Sequence, residues 1–506
     1  MLFNSYIFLL VFLPSAVISF YALNRLSRTL AILSLVAFSL VYYAYWNAAY
    51  VPLLLATVPV NYALGRRIQA AAGRRRAARL LLILGVAGNL GLLAYFKYAH
   101  FIAGLVGMAG GIGSIVLPLA ISFYTFQQIM YLVDSFRGDV PREGLLQYSL
   151  YVTFFPHLIA GPLVHHREMM PQFSTRTRKG LQLDDISVGL VIFFIGLAKK
   201  VLIADELAPF VTPVFSSAAS GQTPDSYSAW CAVLGYTFQI YFDFSGYSDM
   251  AVGAARLFGI RLPINFFSPY RATSIIDFWR WWHMTLSRLL RNYLYIPLGG
   301  NRQGKFRRYL NLMVTMLLGG LWHGAGWTFI VWGGLHGAYL IVNHAWRALR
   351  ERLGWQGDSR AWRLAARTLT FLAVMLAWVF FRSEDLPSAF RMLAAMGGAG
   401  GWSVPARTFS PETEAAWGVA VSSLPLRPLF LCVVLLGVAW LAPNTYQITR
   451  HFSSAILPKG LDLGPGGRRS LVWRPSAAWA LATAALACGS LLGMLSARSE
   501  FLYWQF

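Results

Sequence analysis

Apolar runs recur from one end of this chain to the other, and their length is the strongest constraint on its fold. Each is roughly 15 to 20 residues long, close to what a helix needs to cross a bilayer. Candidates occupy 1–23, 30–46, 50–64, 80–96, 115–132, 145–160, 188–207, 227–242, 309–321, 327–346, 364–381, 429–442 and 479–495. The shorter ones are expected to be tilted, re-entrant or half-spanning, enclosed by other parts of the protein. The first run has no basic leader and no small-residue cleavage site, so it reads as a retained span and not a signal peptide. Composition agrees. Of 506 residues, 57% are hydrophobic and 12% charged, against ~25% charged in a soluble domain. A single large water-soluble enzyme and a disordered chain are both excluded. Eighteen Trp and 24 Tyr suit a membrane-water boundary. The expected fold class is an all-α polytopic membrane protein with roughly 11–13 transmembrane or re-entrant helices.

The 43 basic and 20 acidic residues leave a net charge of +23. The excess sits in short loops, which is the positive-inside pattern and not a nucleic-acid footprint. Loop 65–79 carries Arg66, Arg67, Arg74, Arg75, Arg76 and Arg79 without an acid. Loop 347–367 carries Arg347, Arg350, Arg352, Arg360, Arg363 and Arg367 against Glu351 and Asp358. Segment 447–475 carries Arg450, Lys459, Arg468, Arg469 and Arg474 against Asp462. All three are expected in the cytoplasm. The balanced, Gly- and Pro-rich segment 382–427 and both termini are expected outside. Cys231, Cys432 and Cys488 lie in apolar stretches and fit no zinc spacing, so they read as inert thiols. No internal repeat or soluble domain stands out. One membrane-embedded domain is expected, with N-terminal helices in 1–110, a core in 115–346 and C-terminal helices in 347–506.

Ionisable residues inside apolar sequence concentrate between Phe238 and Trp346. Such groups are costly at membrane depth and usually face a cavity, so chemistry is sought there. His323 lies in LLGGLWHGAGW, where small residues leave room for a ligand beside an imidazole able to take and return a proton. A core histidine bridging helices is the plainer reading. His283 lies in DFWRWWHMTLSRLLRNY. On one continuous helix, Arg280, His283, Arg291 and Tyr295 share a face. That helix is either an interfacial amphipathic one or one entering a polar cavity. In the second case Arg280, Arg291, Arg302, Lys305, Arg307 and Arg308 become candidates for a phosphorylated donor. Asp243 and Asp249 in FDFSGYSDM can bind a cation or form buried ion pairs with Arg271 or Arg280, Gly246 is a potential helix break, and Asp277 is a candidate cap for a helix starting at Phe278. His157, His165 and His166 lie in FFPHLIAGPLVHH. The pair lacks i, i+4 spacing and a carboxylate partner beyond Glu168, so no metal site is expected. His336 and His344 read as packed or pore-lining, His100 and His451 as boundary residues. No phosphate loop and no GxSxG elbow occurs.

Several strings resemble the membrane-bound O-acyltransferases, most closely the branch that acetylates alginate and related polysaccharides. They are LPLAISFYTFQQIMYLVD (117–134), FFPHLIAGP (154–162), YFDFSGYSDMAVG (241–253), NFFSPYRATSIIDFWRWWHMTLSRLLRNYLYIPLGGNR (265–302), MLLGGLWHGAGWTFIVWGGLHG (316–337) and FLYWQF (501–506). The resemblance implies a helical fold around a tunnel. It implies an acyl group taken from a cytoplasmic thioester, acetyl-CoA in this branch, and delivered across the bacterial inner membrane to a polysaccharide such as alginate. Delivery is direct or through a periplasmic partner of the SGNH-hydrolase type. His323 falls on the family's catalytic position, and His283 on its second signature histidine. The segment 165–170 and the Gly-rich 397–401 depart from the branch, which leaves the acceptor open. A transporter with a histidine proton relay, or acylation of another envelope polymer, are the alternatives; the missing repeats count against the first.

Overall fold

The computed structural model describes residues 1–108, 113, 115–140, 143–174, 180–355, 359–402, 426–458, 460–461, 463, 471–496 and 502. Among them the chain is helical throughout, apart from one isolated parallel bridge between Pro263 and Ile456. The helices that place the site are α1 (Leu13–Leu26), α2 (Arg28–Ala44), α3 (Val51–Ala70), α4 (Arg75–Leu93), α5 (Ile121–Arg137), α6 (Leu183–Ala198), α7 (Ser226–Arg256), α8 (Ile275–Trp281), α9 (Met284–Leu290), α10 (Gly304–His323), α11 (Trp327–Arg352), α12 (Arg360–Arg382), α13 (Arg427–Leu441) and α14 (Ala477–Ser496). Six helical stretches are long and apolar enough to cross a membrane, and α2 and α13 are shorter apolar helices. Helix α14 buries little of its surface, as a lipid-facing helix should. The chain is a multi-pass membrane protein. Half of segment 382–427 and parts of 447–475 lie outside the described residues.

At the centre runs α7, capped by Asp225 accepting from Ser228 N at 2.9 Å and buried along nearly its whole length. It does not break at Gly246. Instead Gly246 lets α6 approach, since a Cβ there would stand 2.7 Å from the Gly196 carbonyl. The acids of α7 pair with lysines that follow α6 in a π-helical turn. Lys200 Nζ lies 2.6 Å from Asp243, and Lys199 Nζ lies 2.6 Å from Asp249. The ion-pair reading of Asp243 and Asp249 therefore holds, with adjacent lysines as partners where Arg271 and Arg280 were expected. Arg271 bonds instead to the carbonyls of Ala439 and Ala442 at the end of α13.

Two antiparallel hairpins fix the direction of the bundle. Helices α3 and α4 meet at an exposed arginine-rich turn around Arg74–Arg76. Helices α10 and α11 meet at the short turn 324–326, so Gly304 and Arg352 stand together at the foot. They pack tightly near the turn because Gly320 faces Gly333, where an added Cβ would sit 3.2 Å from the Gly320 Cα. Helix α10 begins five residues earlier than its apolar run. Its 20 residues rise about 30 Å, which puts His323 at the end remote from the basic foot. Cys231 and Cys432 are buried free thiols, while Cys488 is exposed on α14.

Candidate active site

His323 is the last residue of α10 and is 4% exposed. Its ring lies 4.8 Å from Trp322, 5.1 Å from Trp332 of α11 and 5.2 Å from Phe381 of α12, centroid to centroid. Its carbonyl and that of Trp322 accept from Lys97 Nζ, which follows α4 in a second π-helical turn. The His283 ring is 6.4 Å away and fully buried. The two signature histidines, 40 residues apart in sequence, thus share one buried chamber.

His283 does not lie on a helix face. The expected continuous helix is broken at this residue, which has a left-handed backbone with φ +42° between α8 and α9. A non-glycine residue holds that conformation only when its surroundings fix it. Asn265 does so. Its carbonyl accepts from Met284 N at 2.9 Å, and its Oδ1 accepts from Thr285 Oγ1 at 3.0 Å. The same Oδ1 lies 3.0 Å from His283 Nδ1, while Asn265 Nδ2 donates to Ser248. His283 therefore donates through Nδ1, and Nε2 is its basic nitrogen. Sequence reading passed over Asn265; a lone Asn in NFFSPY gives no signal until the fold places it under the imidazole. The start of α8 is also corrected. Ser274 is the cap, accepting from Asp277 N, and the helix begins at Ile275 because Asp277 sits in its first turn.

Two cavities approach the chamber from opposite ends. One, of about 300 Å³, includes Trp46, Lys97, Ser122, Trp322 and His323 in its wall and lies at the end remote from the basic foot. The other, of about 760 Å³, lies at the foot between α8, α11 and α12, walled by Asp277, Tyr339, Trp346, Arg347, Arg350, Trp362 and Arg363. Between them stand Trp279, Trp332 and His336, the last buried and accepting from Trp279 Nε1 at Nδ1 over 3.3 Å. The six cations read as donor candidates are not in either wall. Arg280 is exposed and pairs with the wall residue Asp277 at 3.1 Å. Arg291, Arg302, Lys305 and Arg307 are exposed, and Arg308 lies over the Tyr309 ring. The wall arginines lie in the 347–367 segment, which the sequence marked only as a topology signal. His344 is on the same helix, half-buried.

The His165–His166 pair does have a carboxylate neighbour. Asp134, some thirty residues upstream on α5, brings its Oδ2 to 2.9 Å from His165 and 3.0 Å from His166, and accepts from the Tyr293 hydroxyl. The expectation that the pair stands apart from a carboxylate is corrected. Arg137 joins the cluster at 3.3 Å from Asp134, while His166 Nδ1 is buried without a hydrogen-bond partner among the described residues. His157 lies 3.2 Å from Gln127, and His100 accepts from Ile115 N.

The membrane bundle thus holds a buried histidine pair, with one cavity reaching His323 and a second, at the foot, separated from the pair by Trp279, Trp332 and His336. The membrane-bound O-acyltransferase family model matches residues 137–381, which include both histidines. The chain is 40% identical to the probable alginate O-acetylase AlgI of Azotobacter vinelandii, over 100% of both chains. It is 42% identical to the peptidoglycan O-acetyltransferase of Helicobacter pylori, over 80% of this chain and 81% of that one. A more remote relative, the teichoic acid D-alanyltransferase of Streptococcus thermophilus, is 26% identical over 54% of this chain. This chain belongs to the membrane-bound O-acyltransferase family and is an O-acyltransferase. The transporter reading is thereby set aside.

Proposed function

We propose that the protein takes an acetyl group from cytoplasmic acetyl-CoA and delivers it across the bacterial inner membrane for O-acetylation of a cell-envelope polysaccharide such as alginate. The observation that carries this reading is His323, buried beside His283, with an arginine-lined cavity at one end of the bundle and a smaller cavity lined by Lys97 and His323 itself at the other. His323 takes the proton of the attacking hydroxyl, whose oxygen forms a bond to the thioester carbonyl carbon. Collapse of the tetrahedral intermediate breaks the C–S bond, and the thiolate recovers a proton. His283, fixed by Asn265, orients the reacting groups. The nucleotide end of the donor occupies the cavity at the foot. Its phosphates meet Arg347, Arg350 and Arg363, which suit phosphate as charged multidentate donors, and its base meets Trp346 or Trp362. Arg280 stands at the rim, and Arg302, Lys305, Arg307 and Arg308 at the same end supply long-range attraction, with Arg291 beyond them. The hydroxyl belongs to the polysaccharide or to a serine of a periplasmic SGNH-type partner. The likeness to an alginate O-acetylase and a peptidoglycan O-acetyltransferase supports a polymer acceptor.

The test is acetyl-CoA turnover by purified protein in nanodiscs, wild type against His323→Ala. A loss of about 10²–10⁴-fold is expected for removal of a general base. A well-folded variant that keeps more than about a tenth of the activity overturns the assignment.

A further inference from the structure

Lys97 carries the next inference. It stands at membrane depth in an apolar run, where a cation is costly and usually marks a site. The π-helical turn Ala94–Tyr98 turns two successive polar side chains against the end of α10. Tyr98 Oη donates to Leu321 O at 2.9 Å, and Lys97 Nζ donates to Trp322 O and, at 3.4 Å, to His323 O. These carbonyls are among those a helix end leaves without intrahelical partners. One role of Lys97 is therefore to hold the histidine-bearing helix end.

That role leaves the charge unbalanced. An ammonium has three donors, and the two carbonyls occupy two. The Trp322 ring adds a cation–π contact, its centroid 5.8 Å from Lys97 Nζ, but carbonyls and rings offer partial charges only, and among the described residues no carboxylate pairs with Lys97. The side chain forms part of the wall of the 300 Å³ cavity, together with His323. The rest of that wall is apolar but for Ser122 and backbone groups. A cation without a carboxylate partner in the wall of a small cavity is an electrostatic anchor, because its field is less screened there than in open water.

We propose that this cavity is a carboxylate subsite. Resting on the acyltransferase reading above, the acceptor group that enters it is an acidic sugar whose carboxylate binds Lys97, so that a neighbouring hydroxyl is held beside His323. Lys97 is then a specificity-determining residue, and an acceptor without the carboxylate binds poorly.

Binding of a uronic-acid oligosaccharide to the full chain in nanodiscs tests this, with the carboxyl-reduced oligosaccharide as its neutral counterpart. Wild type should bind the acidic form at least about tenfold more tightly, as befits a hydrogen bond to a charged group. The preference should weaken with added salt. Lys97→Met and Lys97→Gln should abolish it, and Lys97→Arg should keep part of it. Wild type that binds both forms equally, or binds neither, overturns the subsite without any variant. So does a Lys97→Met protein, folded by its melting curve, that weakens both forms alike, since that is the mark of a helix cap alone. Acetyl-CoA hydrolysis by wild type and His323→Ala is measured in parallel. Its absence in wild type counts against the acyltransferase reading and leaves the binding result to judge the subsite.

Discussion

His283 shows how little a residue's neighbours in sequence reveal about its job. Its backbone is in a region that disfavours side chains, and Asn265 holds it there through main chain and side chain together. Replacing Asn265 by Ala removes the acceptor shared by the His283 ring and the Thr285 hydroxyl, both buried. Leaving such groups without partners costs about 1–3 kcal/mol. The melting temperature should fall, and acyl transfer should fall with it. His283→Ala should impair transfer less than His323→Ala, because an orienting imidazole contributes less than a general base. Asn265→Asp is the discriminating variant: it retains an acceptor, so it should keep more of the stability than Asn265→Ala. Equal melting temperatures for Asn265→Ala and wild type would show that the clamp is not needed.

At the scale of elements, the hairpin of α10 and α11 joins the two cavities. Its tip holds His323 and its foot holds Arg347 and Arg350. Donor affinity should depend on the foot. Changing Arg347, Arg350 and Arg363 together to Gln should raise KM for acetyl-CoA more than it lowers kcat, the signature of binding lost equally in ground and transition states. Changing Arg302, Lys305, Arg307 and Arg308 to Gln should have a smaller effect that vanishes at high salt, because exposed charges are screened within about 10 Å at 0.1 M salt. A larger effect from the exposed loop than from the cavity wall would place the donor on the loop.

For the whole molecule the prediction concerns access. With the three native cysteines removed, a cysteine at position 326 should react with small thiol reagents, and acetyl-CoA should slow the reaction. Position 326 is the suitable one because a Cβ there has ordinary contact with Phe329 at 3.6 Å, whereas a Cβ at Gly324 would collide with that ring. Reagents confined to the periplasmic side should label it, and cysteines placed in the exposed turn at Arg75 or Arg76 should react only from the cytoplasm. The reverse pattern would invert the topology. No labelling of an active protein at position 326 would close the tunnel.

The amino-acid sequence by itself determined that this chain is a helical membrane protein and where its basic loops fall, and it picked out the two histidines whose rings the fold brings within 6.4 Å of each other. Those properties are written in local patterns: runs of apolar residues, loop charge and short motifs. Tertiary structure alone decided the rest. It broke the helix at His283 because Asn265 reaches it from eighteen residues upstream. It gave Asp243 and Asp249 to lysines some fifty residues away, and brought Asp134 to a histidine pair about thirty residues on. It set Lys97 against a helix end 225 residues downstream. Contacts of that kind depend on which helices lie side by side, and helix packing is fixed by shape and small-residue approach across the bundle, which no single segment encodes.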